Sequence, residues 1–402
     1  MACNLDATFR LTEAAHVLTL TDLQASLERM LAQAPAGHAL LVQGHSARSV
    51  LLGVMAAMRQ RTVYLVRDAH ALPMPAHWAP GQDWASHVAV NPSHAPALWL
   101  QTSGTTGRPK WVAHDMNALL APLSPGAKAS AVWLLSYEPA SFAGLQVLLS
   151  ALLGGHTLAC RPSGMVPAAL LAWMAGQGIT HASGTPTFWR TLARAADTPL
   201  PLRCITLGGE LADQATLNML RARFPGAQLR HIYATTEAGV VFHVRDGQAG
   251  FPGDWIGKTL PQGLALSLSA RSTLLVGRAG QVGPLIDTGD VIQIDAGRAF
   301  FKGRADSLIN VGGHKVFPEE VETHLLTLPW VTDARVSAQA SPITGAILTA
   351  EIVLQAGPHD DASLKQSLQQ HLQALPRHAR PALIRFKTEL SMGASHKKAR
   401  TP

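Results

Sequence analysis

A short segment rich in hydroxyl and glycine residues is the part of the chain best suited to chemistry. It follows an apolar run and reads Thr102-Ser103-Gly104-Thr105-Thr106-Gly107-Arg108-Pro109-Lys110. Glycines let backbone amides approach phosphate oxygens, hydroxyls donate hydrogen bonds, and a lysine supplies a compact cation. The spacing differs from that of a Walker A loop, in which lysine directly follows the second glycine. The segment predicts a loop that binds a polyphosphate, although a turn without a ligand can have the same composition.

The composition is that of a globular protein with a large core. With 47% hydrophobic and 15% charged residues among 402, the chain is long enough for two or three domains. The longest apolar stretch, around residues 142 to 153, is too short for a bilayer, so we expect no membrane span. The N-terminus shows no basic segment followed by an apolar one, which makes the cytoplasm the expected location.

Cysteine, histidine and charge exclude several classes of site. The three cysteines, Cys3, Cys160 and Cys204, lie far apart and show no metal-ligand spacing. The 18 histidines form no zinc-binding motif, so we expect most of them at the surface or in packing roles. The net charge of +7 favours an acidic partner. Basic residues are scattered without interleaved aromatic residues, so we expect no nucleic acid, and a phosphorylated substrate or an acidic protein explains the charge equally well.

Short apolar runs alternate with helix-like stretches, as in a sheet buried on both faces. The sequence predicts strands at 38–43, 62–67, 131–135 and 347–354 and helices at 46–60, 145–153, 166–176, 186–196 and 362–375. A further helix should begin at Pro318, with proline and acids in its first turn. The fold class predicted is α/β, with a large layered α/β domain over residues 1–305 and a small α+β domain over 306–402.

Four more segments carry a resemblance when they are combined with the Thr102–Lys110 loop. They are Tyr233-Ala234-Thr235-Thr236-Glu237, Asp287-Thr288-Gly289-Asp290, the stretch from Gly303-Arg304-Ala305-Asp306 to Glu322, and Ser395-His396-Lys397-Lys398-Ala399-Arg400. In this order they resemble the adenylate-forming (AMP-binding) superfamily, which includes acyl-CoA and aryl-CoA synthetases, peptide-synthetase adenylation domains and luciferases. Only about a hundred residues precede the loop, so the resemblance is to a short, N-terminally reduced member.

The resemblance implies an AMP-forming acid-thiol ligase that uses ATP and Mg²⁺. A carboxylic acid would become an acyl adenylate with release of pyrophosphate, and the acyl group would pass to a phosphopantetheine thiol. An aryl or fatty acid is favoured, because no aspartate suited to an amino-acid ammonium group follows residues 141–144. The thiol belongs either to CoA or to an acyl carrier protein, and the basic chain slightly favours an acidic carrier protein.

Two alternatives stay open at this point. An adenylate-forming amide ligase would pass the acyl group to an amine, and product analysis with and without thiol acceptors separates it from a thiol ligase. A non-catalytic relative would bind nucleotide or a partner as a regulatory subunit. Neither the identity of the acid nor the oligomeric state follows from the sequence.

Each site residue is assigned by its match to the family pattern. The phosphate-binding set is Thr102, Ser103, Gly104, Thr105, Thr106, Gly107 and Lys110. The set near adenine is Gly208, Gly209, Glu210, Tyr233, Ala234 and Thr235, with Ala234 in place of the family's usual glycine. Thr236 would meet the phosphates and Glu237 would hold Mg²⁺. Asp290 and Arg304 would approach the ribose.

The remaining assignments concern the small domain and the acid pocket. Lys397 is the expected catalytic lysine, presented next to His396 where the family has glycine. The resemblance also implies that the small domain is mobile, with Asp306 as the hinge about which it turns between the adenylation and thiol-transfer poses. Gly312 and Gly313 would line the approach of the pantetheine arm. The acid pocket is assigned to Phe142, Gly184 and Ala238.

Overall fold

The computed structural model describes residues 5–14, 16–34, 37–67, 84–87, 97–101, 110–121, 123, 130–195, 198–280, 285–342, 344–355 and 361–390. The chain divides into two compact units. The first comprises Met1–Thr185, Leu192–Gly209 and Arg223–His243, and the second comprises Pro186–Thr191, Glu210–Ala222 and Val244–Pro402. The boundary predicted between residues 305 and 306 stays a prediction.

The first unit is built on two sheets. Its strands are β1 (Arg10–Glu13), β2 (His16–Thr19), β3 (Ala39–Gln43), β4 (Val63–Val66), β5 (Trp84–His87), β6 (Leu98–Gln101), β7 (Trp111–His114), β8 (Val132–Leu135), β9 (Thr157–Cys160), β10 (His181–Gly184), β11 (Cys204–Leu207), β12 (Gln228–Thr235) and β13 (Gly239–Val244). Among the described residues, one sheet has the order β13-β12-β11-β10-β8-β9-β1-β2 and the other has the order β5-β3-β4-β6-β7.

Helices cross over between these strands and continue into the second unit. In chain order they are α1 (Leu20–Gln33), α2 (Ala47–Met58), α3 (Met116–Leu120), α4 (Phe142–Leu153), α5 (Pro167–Gly176), α6 (Pro186–Ala193), α7 (Gln214–Arg223), α8 (Pro318–Leu326) and α9 (Asp361–Leu372). Strands β8 to β12 pair in parallel wherever they are neighbours. The predicted α/β class of the large domain is thereby confirmed, and within the described residues no helix is long and apolar enough to cross a membrane.

Local sequence explains where α4 begins and why it is buried. Ser141 caps the helix by accepting a hydrogen bond from the Gly144 amide at 3.0 Å. A Cβ atom at Gly144 would lie 2.1 Å from the carbonyl oxygen of Glu138, so only glycine fits this close approach. The rest of α4 is apolar on nearly every face and is buried. This cap places Phe142 at the start of the helix.

The N-terminal hairpin is joined to strands far along the chain. Strand β1 pairs in parallel with β9, and the Thr8 hydroxyl donates a 2.7 Å hydrogen bond to the carbonyl of Gly155. The Glu13 carboxylate accepts from the backbone amides of Ala47 at 2.8 Å and Arg48 at 3.2 Å, at the N-terminus of α2. An acidic group at a helix N-terminus is stabilising, so Glu13 fixes α2 to the edge of the larger sheet.

The second unit is dominated by antiparallel strands. They are β14 (Phe251–Pro252), β15 (Leu264–Leu268), β16 (Thr273–Arg278), β17 (Ile286–Asp295), β18 (Arg298–Arg304), β19 (Ile309–Val311), β20 (His314–Val316), β21 (Val331–Ser341), β22 (Gly345–Leu354) and β23 (Leu383–Lys387). A five-stranded sheet has the order β14-β18-β17-β16-β15, and β21, β22 and β23 form a separate sheet. A core cluster joins this last sheet to α8 and α9, so the α+β class predicted for the C-terminal part is confirmed.

Candidate active site

Three glycines assigned from the sequence meet at the carboxyl edge of the larger sheet. Gly184 ends β10, and Gly208 and Gly209 follow β11. The Gly208 amide donates to the Gly184 carbonyl at 3.2 Å, and the Tyr137 hydroxyl donates to the Gly208 carbonyl at 3.2 Å. Ligands of open parallel sheets bind outside the carboxyl ends of the strands, which is where these groups lie. Tyr137 was not assigned from the sequence, although its position two residues after β8 was the available signal.

Glu210 has a structural role in the second unit. Its Oε2 atom accepts from the Thr187 amide at 3.0 Å and from the Thr187 hydroxyl at 2.7 Å. Thr187 is in the first turn of α6, so the carboxylate satisfies a free amide at the helix N-terminus. The predicted position of Glu210 beside adenine stays a prediction.

The segment after β12 forms a turn that presents Thr236 and Glu237. Tyr233 is half-buried at the end of β12 and stacks on Phe242, with ring centroids 5.2 Å apart. The Thr235 hydroxyl accepts from the Ala238 amide at 2.9 Å, which closes the turn around the two residues. Ala234 and Glu237 are exposed. The fixed turn therefore holds a carboxylate toward solvent.

Glu237 suits a magnesium ion by the chemistry of its surroundings. Within the described part of the chain, Glu237 makes no ion pair. No group of three or more His, Cys, Asp or Glu residues is close enough there to hold a metal unaided. Mg²⁺ usually binds through one or two carboxylates together with substrate phosphates and water, so a single free carboxylate fits it.

A histidine not assigned from the sequence lies beside the predicted acid pocket. The His114 ring at the end of β7 lies 5.6 Å from the Phe142 ring, centroid to centroid. A Cβ atom at Gly239, which follows Ala238, would lie 3.9 Å from Phe142 Cζ. Burial lowers the pKa of His114 to about 4, and the negative charge of Glu237 opposes this shift. The signal for His114 was its place on the strand that directly follows the glycine-rich loop.

Part of the predicted phosphate site can be located. Lys110 is exposed immediately before β7, at the opposite end of this strand from His114. Other predicted residues lie outside the described residues: Thr102, Ser103, Gly104, Thr105, Thr106, Gly107 and Lys397. Their assigned roles stay predictions.

The predicted ribose and hinge residues meet on β17 and β18 of the second unit. Asp290 and Arg304 are directly opposed in the strand pairing, with Asp290 Oδ1 3.8 Å from Arg304 Nη1. Arg304 Nε and Nη2 donate to the two carboxylate oxygens of Asp306 at 2.9 and 3.2 Å. Arg304 Nη1 also donates to the Thr288 carbonyl at 3.1 Å. The predicted ribose arginine is therefore bound to the predicted hinge aspartate.

Glycine is required at the end of β18 and in the following hairpin for different structural reasons. Gly303 has a φ of +149°, and a Cβ atom there would lie 2.6 Å from Glu319 Oε2. Gly312 and Gly313, at φ +57° and +87°, form the two-residue turn between β19 and β20. Two consecutive positive φ angles suit a hairpin turn of this length. Their role along a pantetheine path stays a prediction.

Comparisons with known proteins show which family the chain belongs to. In sequence, the chain is 26% identical over 344 residues to the human mitochondrial acyl-coenzyme A synthetase ACSM1, covering 73% of this chain. The chain spans 58% of the length of that relative. In structure, it resembles the anthranilate CoA ligase AuaEII in complex with anthranoyl-AMP, with a TM-score of 0.74, 18% identity and coverage of 98% and 93% of the two chains.

A second solved structure supports the same fold. The o-succinylbenzoate coenzyme A synthetase MenE from Bacillus subtilis, in complex with ATP and magnesium, matches with a TM-score of 0.69 and 18% identity, covering 98% of this chain and 95% of that one. The AMP-binding enzyme family matches residues 1–288, and the AMP-binding enzyme C-terminal domain matches residues 320–397. The chain therefore belongs to the AMP-binding enzyme family.

Proposed function

We propose that the protein activates a carboxylic acid as its acyl adenylate and then transfers the acyl group to a phosphopantetheine thiol. The membership of residues 1–288 in the AMP-binding enzyme family is the observation that carries the proposal. The first step joins an acid oxygen to the α-phosphorus of ATP and breaks the bond to pyrophosphate. In the second step a thiol sulfur attacks the acyl carbon, and AMP leaves.

Three residues of the first unit support nucleotide and metal binding in this reaction. Tyr233 offers an aromatic face for adenine. Glu237 would hold Mg²⁺, and a bound Mg²⁺ supplies neutralisation of the charge on the departing pyrophosphate. Thr236 sits beside Glu237 and offers a hydroxyl to the phosphates.

Residues of the second unit would bind the ribose and complete catalysis. The Asp290 carboxylate has several lone pairs for the two ribose hydroxyls, and Arg304 adds charge-assisted donors beside it. Lys397 is proposed to stabilise the negative charge that develops during adenylation. We assign the hinge to Asp306, whose pairing with Arg304 would have to change during domain rotation.

The acceptor is proposed to be a pantetheine thiol on CoA or on an acyl carrier protein, and the net positive charge of +7 favours an acidic carrier protein. The human relative is named an acyl-coenzyme A synthetase, and the structural relative AuaEII is named an anthranilate CoA ligase. These names support an acid-thiol ligase, with an aryl or fatty acid as substrate.

Pyrophosphate release tests the proposal directly. We would measure it with ATP and Mg²⁺ over a panel of aryl, fatty, short-chain and amino acids, with Lys397→Ala as the matched inactive variant. Release with one class of acid, abolished in Lys397→Ala with ATP binding retained, supports the proposal. Thioester formation with CoA or with a phosphopantetheinylated carrier protein then identifies the acceptor. ATP binding without release for any acid would contradict the proposal and favour a regulatory subunit.

A further inference from the structure

The side chain of His114 holds a polar atom that the fold leaves unused. The residue is only 9% exposed, and its Nε2 atom is buried without a hydrogen-bond partner. An unpaired buried polar atom costs about 1–3 kcal/mol, so most such atoms in folded proteins are paired. A ligand group that pairs with Nε2 would recover part of this cost.

His114 lies beside an aromatic ring and a glycine in the region predicted to be the acid pocket. His114 and Phe142 lie with ring centroids 5.6 Å apart and planes tilted by 34°. Gly239, with φ +74°, approaches the far edge of Phe142 without adding a side chain. We call these three residues the aromatic wall. Aromatic faces pack favourably against other rings, so the aromatic wall favours an aryl group over a charged or bulky aliphatic one.

The protonation state of the His114 imidazole restricts which substrate group it can bind. Because burial lowers the pKa of His114 to about 4, the ring is neutral near pH 7. A neutral imidazole can donate or accept one hydrogen bond at each nitrogen but supplies no positive charge to an anion. Such a ring therefore suits a neutral polar substituent better than the carboxylate of the acid.

We propose that His114 is the specificity-determining residue of the acid pocket and that its Nε2 atom hydrogen-bonds a hydroxyl or amino substituent on an aryl acid. This inference rests on the proposed function and adds the substrate class to it. An acid that lacks the substituent leaves Nε2 unpaired. We expect such an acid to react with a kcat/KM lower by about 10- to 100-fold.

A matched set of variants tests the role of Nε2. We would measure kcat/KM for pyrophosphate release with benzoate and with benzoates that carry one hydroxyl or amino group at each ring position. His114→Phe keeps an aromatic ring against Phe142 but removes the polar atom, and His114→Gln keeps a polar side chain. The control is His156→Phe, since His156 Nδ1 is also buried and unpaired but its ring stacks on Trp133.

The expected pattern differs between binding and structural roles. The wild-type protein should prefer one substituted benzoate over benzoate. The ratio of the two kcat/KM values should fall toward one in His114→Phe and should be partly restored in His114→Gln. His156→Phe should keep the wild-type preference. Equal losses for benzoate and substituted benzoates in His114→Phe, or no preference in the wild-type protein, would overturn the inference.

A binding measurement separates failure of this inference from failure of the proposed function. We would record the imidazole ¹⁵N resonances of the labelled full-length protein, assign His114 by its loss in His114→Phe, and add benzoate or a substituted benzoate. A shift of Nε2 with a substituted benzoate alone supports the inference even when no pyrophosphate is released. An unchanged Nε2 resonance with every acid would overturn it.

Discussion

The two regions that hold the predicted site residues use their polar side chains in opposite ways. In the turn after β12, the backbone is fixed by the Thr235 hydroxyl and Gly239, but Glu237 makes no ion pair within the described residues. On β17 and β18, Arg304 is already bound to Asp306 and to the Thr288 carbonyl. The first region keeps its polar groups available for a ligand, whereas the second must exchange internal partners when a ligand binds.

This difference has a physical basis in how each region is stabilised. The Glu237 side chain is exposed to solvent, but its position is fixed because backbone and hydroxyl contacts hold the turn that carries it. Arg304 is 41% exposed and Asp306 is 52% exposed, so their pairing is screened by water and can be exchanged at low cost. Substitutions in the first region should therefore act on chemistry, and those in the second should act on packing or on nucleotide affinity.

The largest effect is expected at Glu237. Glu237→Gln removes the anionic metal ligand while keeping the shape of the side chain, so kcat/KM should fall by about 100-fold or more. The Mg²⁺ concentration that gives half the maximal rate should rise. Pyrophosphate release measured against Mg²⁺ concentration checks both effects, with Glu28→Gln on an exposed face of α1 as control. An unchanged Mg²⁺ dependence would show that Glu237 does not bind the metal.

The packing of the second region can be broken at Gly303. Gly303→Ala would place a Cβ atom 2.6 Å from Glu319 Oε2 and 2.9 Å from Phe317 Cδ1, and should lower the free energy of unfolding by about 3 kcal/mol. Gly297 also has a positive φ, +77°, but a Cβ atom there would meet no atom within 4 Å. Gly297→Ala should therefore lower the free energy of unfolding by only about 1 kcal/mol. Urea unfolding compares the two. Equal losses would mean that Glu319 moves aside freely.

The neutral His114 of the first region should make the protein sensitive to acid. Because its folded pKa is about 4, below the ordinary value of 6.5, the unfolded chain binds a proton that the folded chain does not. The stabilisation is complete above pH 6.5 and is lost as the pH falls toward 4. When the pH falls from 8 to 5, the free energy of unfolding should drop in both proteins. The drop should be about 1–2 kcal/mol smaller in His114→Phe than in the wild-type protein.

Urea unfolding at several pH values between 8 and 5 measures this difference in slope. His16→Gln, at an exposed position, is the matched control and should follow the wild-type curve. If the wild-type and His114→Phe curves ran parallel, the imidazole would not be held neutral by burial.

The smallest effects are expected at Asp290 and Asp306, where a bound nucleotide would compete with internal partners for the same polar groups. Asp290→Asn should weaken the binding of a non-hydrolysable ATP analogue by about tenfold, since one charged hydrogen-bond acceptor is lost. Asp306→Asn should change the affinity by less than about threefold, because its pairing with Arg304 is largely exposed. Equilibrium binding of the analogue compares the two variants. A larger loss for Asp306→Asn would reverse the roles assigned to the two aspartates.

Local sequence was sufficient for the four strands and six helices that were predicted, all of which occur in the structure. The helix predicted at 186–196 occurs as Pro186–Ala193 with proline in its first position, and the strand predicted at 347–354 occurs as Gly345–Leu354. Both predictions rest on features read within one segment: an apolar run, or proline at a helix start. Gly184 and Gly208 were assigned by their match to the family pattern, and in the structure both lie where parallel strands end, joined by a backbone hydrogen bond.

Contacts between distant segments could not be read in this way. His114 on β7 and Phe142 on α4 lie close together in the structure, whereas most histidines were predicted to be surface or packing residues. The pairing of Arg304 with Asp306 was missed for another reason, although the two residues are only two positions apart: Arg304 had been assigned to the ribose and Asp306 to the hinge. Spacing along a chain shows which groups are present, but packing decides which of them are left without a partner.

The parallel pairing of β1 with β9 has a consequence for the order of events during synthesis. The hydrogen bond between Thr8 and Gly155 joins residues 147 positions apart. Among the described strands, β1 has β2 and β9 as its sheet neighbours, and β9 is synthesised much later than β2. At about 5–20 residues per second, β9 follows roughly 7–30 seconds later. Over that interval Leu11, which is fully buried in the folded protein, lacks the strand that covers it. The hairpin of β1 and β2 is therefore a segment of the nascent chain that a chaperone could protect.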